Sequence, residues 1–170
     1  MSLIAITSDS HDNIPNIDKF LNYCRVNNIQ RAIHCGDITT DETKQYFIDK
    51  FEGEIDFIEG NADIQKEKDK QLKKTNPFQV IKRLPVPFLE LEIDNIRIAV
   101  CHKKDKAERL GGKNVYELVY FGHTHKPWEE MVENSKLLNP GTLAGMFTPP
   151  TFAVLDTITK KHTLVLVNEI

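Results

Sequence analysis

Leu3-Ile4-Ala5-Ile6-Thr7-Ser8-Asp9-Ser10-His11 is the stretch on which the reading of this chain turns. Leu3 to Thr7 is a short apolar run bounded by polar residues, the pattern of a buried strand. It breaks at once into an aspartate and a histidine. The same event recurs along the chain. Arg31 to His34 is followed by Gly36-Asp37, and Ile55 to Ile58 by Gly60-Asn61-Ala62-Asp63. Ile96 to Cys101 leads into His102, and Leu118 to Phe121 into Gly122-His123-Thr124-His125. Open α/β sheets form their crevice just past the carboxyl ends of the strands, so side chains placed there converge.

The segments between these runs set the architecture. Ile14 to Asn28 is predicted to be a helix: Ile17, Leu21 and Cys24 share one face, joined by Phe20, and Pro15 sits near the start, where a missing N–H costs nothing. A second helix is predicted over Thr43 to Phe51, with Thr40 or Asp41 as its cap. The alternation β-α-β-α-β argues for a parallel sheet with helices on its faces. From Phe88 onward the texture changes. Phe88 to Ile93, a turn at Asp94-Asn95 and the run from Ile96 read as a hairpin. Lys103 to Leu110 reads as a short helix closed by Gly111-Gly112. Met131-Val132 and Leu137-Leu138 flank a turn over Glu133-Asn134-Ser135-Lys136, and Phe152 to Leu155 with Thr163 to Val167 make a third hairpin. No repeat or linker interrupts this order, so a single domain over residues 1–170 is expected, built of two sheets packed face to face with helices outside. Ile64 to Lys74 is almost entirely polar; it reads as a solvated helix or loop, with a phosphate-facing lid as the alternative.

Bulk properties exclude several classes. A chain of 170 residues buries roughly 70% of its unfolded surface on folding, enough to dispense with disulfides. Its net charge of −3 lacks the basic footprint of a general nucleic-acid binder, so no extended nucleic acid is expected as a partner. A small nucleotide remains compatible, because a local cationic metal site needs no basic surface. Cys24, Cys35 and Cys101 form no C-x-x-C pair and read as small buried hydrophobes, the alternative for Cys35 and Cys101 being a redox-sensitive neighbour of the site. No run is long enough to span a membrane, and the N-terminus has neither a cationic leader nor a cleavage site, which reads as cytoplasmic.

The recurrent polar residues mix carboxylate, imidazole and one amide oxygen. That donor set suits Mn, Fe, Zn, Ni or Co better than Ca or Mg. Asp9 and His11 are two apart, as are His123 and His125, so in an extended segment each pair points one way. Gly36, Gly60 and Gly122 each precede such a residue and permit a sharp turn. Singly, Asp9, Asn61 and Asp63 have an alternative as turn formers, and His11 and His102 as surface histidines. Together the set points to two divalent ions, and a pair of ions about 3.5–4 Å apart is a device for phosphoryl chemistry. His34 reads as a residue that backs a ligand or packs at a strand end, and His162 as a residue of a turn or solvent face.

These motifs carry a family resemblance. The order D-x-H, G-D, G-N-x-D, H, G-H-T-H and Asn139-Pro140-Gly141-Thr142 resembles the calcineurin-like metallophosphoesterases, and within them the small phosphodiesterases of bacteria and archaea. The resemblance implies a four-layer α/β/β/α sandwich of two mixed sheets flanked by helices. It implies Asp9, His11 and His125 around a first metal, Asn61, His102 and His123 around a second, and Asp37 bridging them. Manganese is the first choice of metal, with Ni, Co, Fe or Zn as alternatives. The implied activity is hydrolysis of a small phosphodiester or nucleotide-like substrate by a metal-bridging hydroxide, with homo-oligomers common among similar proteins. Asp37, Asn61, His102 and Lys104 are the residues expected to carry catalysis. Asp63 is expected to orient Asn61 or its loop.

The chain departs from the family pattern in three places, the mildest being Thr142, which ends the Asn-Pro-Gly motif where relatives carry serine. Ala62 stands where many relatives carry a histidine that serves the leaving group. Lys103 and Lys104 stand where they carry Gly-His, and either lysine would neutralise a phosphate oxygen or simply start a solvated helix. Without a proton donor at position 62, the enzyme is expected to favour esters with good leaving groups. The competing functions are a catalytically weak protein-interaction scaffold of the same fold and, further off, a nuclease.

Overall fold

A computed structural model describes residues 2–63 and 88–170. The polar segment Ile64 to Lys74 lies outside the described residues.

The first half forms β1 (Leu3–Thr7), α1 (Ile14–Val26), β2 (Arg31–His34), α2 (Asp41–Lys50) and β3 (Glu54–Phe57). β1, β2 and β3 run parallel in adjacent register, Ile4 opposite Arg31 and Arg31 opposite Glu54. The cap of α2 is Thr40, whose hydroxyl accepts from the Thr43 N–H, and α1 starts under Asn13 with Pro15 in its first turn. The second half forms β4 (Leu89–Ile93), β5 (Ile96–Val100), α3 (Lys104–Gly111), β6 (Leu118–Tyr120), β7 (Trp128–Val132), β8 (Ser135–Asn139), β9 (Thr151–Asp156) and β10 (Lys161–Leu166), with a 3-10 turn at Val167–Glu169. Two five-stranded sheets result, ordered β10-β9-β1-β2-β3 and β4-β5-β6-β8-β7. Both are mixed: β9 returns antiparallel beside β1, while β5, β6 and β8 run parallel between antiparallel edges.

Alternation along β1 divides the core. Ile4 and Ile6 face the second sheet, where they join Ile98, Val100, Tyr120 and Leu137. Ala5 faces the other way, onto a layer with Phe20 and Cys24 of α1 and Phe47 of α2. Phe20 meets Phe152 edge-on at 5.0 Å. α3 packs over β6 and β8 on the far side of the second sheet, its Ala107 and Leu110 buried. These are the layers of the expected α/β/β/α sandwich.

Three local readings change. The β7–β8 hairpin turns on Glu133-Asn134 alone, with Glu133 at φ +52, and Ser135 and Lys136 already belong to β8. Helix α3 runs through Gly111 and ends at Gly112 in the right-handed region, φ −64°, so its end needs no left-handed glycine. His162 is not on a turn or a solvent face. It lies on β10 with its side chain 4% exposed, Nε2 at 2.9 Å from the Tyr120 hydroxyl and Nδ1 at 3.3 Å from Glu129. There it links an edge of one sheet to the other. Polar sequence neighbours around His162 concealed this long-range contact.

Candidate metal centre

All the motif residues lie past the carboxyl ends of parallel strands, at one end of the sandwich. Asp9 and His11 follow β1, Asp37 follows β2 and Asn61 follows β3. His102 follows β5, and His123 with His125 follows β6. Within each sheet, main-chain bonds stitch neighbouring loops together. Asp9 N–H donates to the Gly36 carbonyl (3.0 Å), His11 N–H to Asp37 (3.1 Å), and Gly122 N–H to His102 (3.1 Å).

The pairs at Asp9/His11 and His123/His125 converge for a reason other than the extended spacing expected from sequence. Asp9, His11, Asp37, His123 and His125 all sit at positive φ, between +41° and +68°. This left-handed region is disfavoured for any residue with a Cβ, though Asp, Asn and His visit it most readily. Each such position costs of order 1–2 kcal/mol, and persists because the surrounding bonds over-determine it. Gly122 has a separate role: a Cβ there would lie 1.9 Å from the Ser8 hydroxyl and 2.7 Å from Asp9 Oδ2, so only glycine lets the histidine loop approach.

Two groups of donor atoms form. Asp9, His11 and His125 make one, Asp37, His102 and His123 the other, with the atoms of each within 4.8 Å of one another. Asp37 Oδ2 lies 3.4 Å from His102 Nε2 and 3.9 Å from His11 Nε2, so one carboxylate oxygen faces both groups. The Asn61 amide oxygen is 3.1 Å from His102 Nε2 and joins the second group.

The donor chemistry fits a cation. His102 Nδ1 donates to the Cys35 carbonyl at 2.8 Å, which leaves Nε2 as a lone pair facing two other acceptors, Asn61 Oδ1 and Asp37 Oδ2. Asp9 is fully buried, and its Oδ1 sits 3.2 Å from His125 Nε2 without the alignment of a hydrogen bond. Converging acceptors without a donor need a positive charge between them. Protonation follows the same logic. The Asp9 carboxylate lifts the His125 imidazole above its ordinary range. Burial works to lower His102, but the adjacent Asp37 outweighs it and the net shift is upward. Burial likewise works to raise Asp37, and the His102 ring and the Ala62 N–H together hold it below the usual carboxylate range. His123 is lowered by burial and by the charge of His102.

Several supports were not legible as such. Asp63 does more than orient Asn61. Its Oδ2 accepts from the N–H groups of Asp37 (2.9 Å) and Gly60 (2.8 Å), and its Oδ1 from Thr39 (2.7 Å). It therefore fastens the loop after β2 to the loop after β3. Asn139 donates to the Gly122 carbonyl and the Thr124 hydroxyl, at 2.8 and 3.0 Å, and the Thr142 hydroxyl donates to the Asp9 carbonyl at 2.9 Å. The Asn-Pro-Gly-Thr motif announced itself, but its function as a brace did not. Thr39 holds φ +98 with its hydroxyl 3.4 Å from His11 Nδ1; nothing in local propensity signals a β-branched residue there.

His34 is packed, as expected: it accepts from Gly36 N–H through Nδ1 and donates from Nε2 to the Ser10 hydroxyl at 3.0 Å. Burial pushes its imidazole down to about 3. Cys35 and Cys101 are fully buried, with thiols pushed up by desolvation, in keeping with small packed hydrophobes. Lys104 begins α3, where its ammonium pairs with Glu130 at 3.1 Å and lies over the Trp128 ring at 5.6 Å.

A model of the calcineurin-like phosphoesterase superfamily domain matches residues 1–160. The chain belongs to that superfamily. It is 32% identical to the phosphodiesterase MJ0936 of Methanocaldococcus jannaschii over 94% of this chain and 95% of that protein. A solved archaeal structure, characterised as a novel phosphodiesterase, superposes with a TM-score of 0.79 at 29% identity, covering 96% of this chain and 99% of the other. The fold is also that of Vps29 from Entamoeba histolytica in complex with zinc, with a TM-score of 0.65 at 18% identity over 98% and 99% of the two chains. Among the described residues, no helix is long and apolar enough to cross a membrane.

Proposed function

We propose that this member of the phosphoesterase superfamily is a dinuclear metal-dependent phosphodiesterase. The observation that carries the reading is Asp37 Oδ2, which faces both His11 and His102 and so joins two otherwise separate donor groups. Asp9, His11 and His125 would hold one divalent ion, and Asn61, His102 and His123 the other. Two ions held there would supply Lewis acidity and lower the pKa of bound water toward neutrality. Manganese is the favoured ion, since carboxylate, imidazole and amide oxygens make up the set.

The chain's own residues then divide the work. Asp37 offsets the repulsion of two like charges. The Cys35 carbonyl fixes the His102 tautomer, and Asp63 fixes the distance between the Asp37 and Asn61 loops. Ala62 contributes its N–H to Asp37 Oδ1 at 2.8 Å and has no proton to give a leaving group. The substrate class is thus a small phosphodiester whose leaving group departs without a general acid. Lys104, engaged with Glu130, is an affinity residue at most. The likeness to the phosphodiesterase of M. jannaschii supports the same reading.

The test is hydrolysis of bis-p-nitrophenyl phosphate and p-nitrophenyl phosphate by metal-stripped protein, with Mn, Ni, Co, Mg or Zn restored, beside Asp37→Asn. Metal-dependent diester cleavage, lost in the variant and weak on the monoester, is expected. Two bound ions without turnover on either ester would replace this reading with a scaffold of the same fold.

A further inference from the structure

Beside the Asp9–His11–His125 group stands an aromatic ring held out in solvent. Phe147 is 90% exposed, and its ring centroid lies 6.0 Å from that of His125, the planes inclined by 38°. Its backbone is at φ +66, an outlier conformation for so bulky a side chain. A residue that gains no burial and holds a strained backbone calls for another reason to be where it is.

The loop that carries the ring is tied to the site on both sides. Leu143 and Ala144 N–H groups donate to the carbonyls of Ser8 and Asp9, at 2.9 and 3.0 Å. The Ala144 carbonyl accepts from the Asn13 amide at 2.8 Å. On the other side, the Thr148 hydroxyl donates to the His125 carbonyl at 2.5 Å. The two loops that carry Asp9 and His125 therefore also set the position of Phe147. Trp128, also exposed, already has a partner in the Lys104 ammonium. Phe147 presents its free face to solvent next to the ligand set.

We propose that Phe147 is a substrate-positioning residue: it stacks on an aromatic ring carried by one ester group of the phosphodiester, an aryl ring or the base of a nucleoside, and makes the site prefer ring-bearing over ringless phosphate groups. This rests on the phosphodiesterase reading above. Ala62 points to the aryl member of this class from the chemical side, since a phenolate leaves without a proton donor. Every base and aryl ring has a π-face, so one phenylalanine serves either source.

The experiment compares the wild type with Phe147→Ala, Phe147→Leu and Phe147→Trp, all loaded with Mn. Calorimetry measures the binding of phenylphosphonate against methylphosphonate, and of adenosine 5′-monophosphate against ribose 5-phosphate. Phe147→Ala is expected to weaken the ring-bearing member of a pair about tenfold, within the range that loss of one stacking contact produces, and to change the ringless member less than twofold. Phe147→Trp restores the difference and Phe147→Leu does not. With bis-p-nitrophenyl phosphate, the loss appears in KM and spares kcat. Which pair responds identifies the aryl or nucleobase source. Equal weakening of both members, no weakening, or full rescue by leucine overturns the proposal. If the wild type cleaves no diester, the proposed function falls, while the binding comparison still decides the role of Phe147.

Discussion

The two donor groups differ in how they are built. Around Asp9, the backbone is held at both ends, its N–H by the Gly36 carbonyl and its carbonyl by the Ala144 N–H and the Thr142 hydroxyl, and a third main-chain group, His123 N–H, holds Oδ2. Around His102 and Asn61, order depends on a side chain, because Asp63 carries the bonds that join the loop after β2 to the loop after β3. His123 of this group is also exposed, where Asp9 of the first is fully buried. A cluster organised by main-chain bonds keeps its geometry when one side chain changes. One organised by a single carboxylate does not, so the second group should be the weaker binder.

The largest effect is expected at the residue the groups share. Asp37→Asn should reduce both metal occupancy and diester hydrolysis by more than the ~10–100-fold that loss of an outer partner costs. Metal analysis with steady-state kinetics checks this, and full occupancy with full turnover would remove Asp37 from its bridging place.

Asp63→Asn separates the groups. Replacing the carboxylate puts an NH₂ where an acceptor met backbone N–H groups. Affinity for the more weakly held ion should fall ~10–100-fold, with the tighter ion changed far less, as read by sequential manganese titration. A uniform fall in both would break the comparison.

Ala62→His keeps the main-chain bond to Asp37 and adds a ring beside the second group. If the missing donor governs substrate choice, diesters with poor leaving groups gain most, up to the ~10²–10⁴-fold that general acid catalysis is worth. The plot of rate against leaving-group pKa would flatten. Parallel gains on all esters would assign the effect to something other than proton donation.

The smallest effect concerns the packed histidine beneath the first group. His34 is held at about 3 by burial, below an ordinary value of roughly 6.5. Between these values the unfolded chain binds a proton that the folded chain does not. The stability contributed by neutral His34 is therefore present above the ordinary value and lost as pH falls through the window, by at most about 1.4 kcal/mol per pH unit. Denaturant titrations of metal-free protein from pH 7 to 4 should show a slope that His34→Gln reduces. An identical slope in the variant would place the pH dependence elsewhere.

Much of the fold was legible because its signals are local. The alternation of Ile4, Ala5 and Ile6 between two layers, and the helical face of Ile17, Phe20, Leu21 and Cys24, are periodicities a linear chain displays. Strand ends slipped by a residue or so, at β3 and β5 for example, where pairing decides the boundary. The candidate ligands were legible too, since each follows a strand and each is a residue type with few other reasons to recur there. Their conformation was not. An extended spacing of two explains how Asp9 and His11 point one way, yet the chain uses left-handed turns, which hydrogen bonds from distant loops impose. His162 was misplaced for the same reason: its partners, Tyr120 and Glu129, come from other strands.

The sequence by itself determined the order of strands and helices, the superfamily and the identities of the residues that meet at the strand ends. Those properties reside in periodicity, composition and motif order. Only the tertiary structure decided that Asp37 looks both ways, that Asp63 joins two loops, that Lys104 is taken by Glu130 and that Phe147 stands open beside His125. Each depends on residues far apart in the chain, and a contact of that kind has no local pattern to announce it.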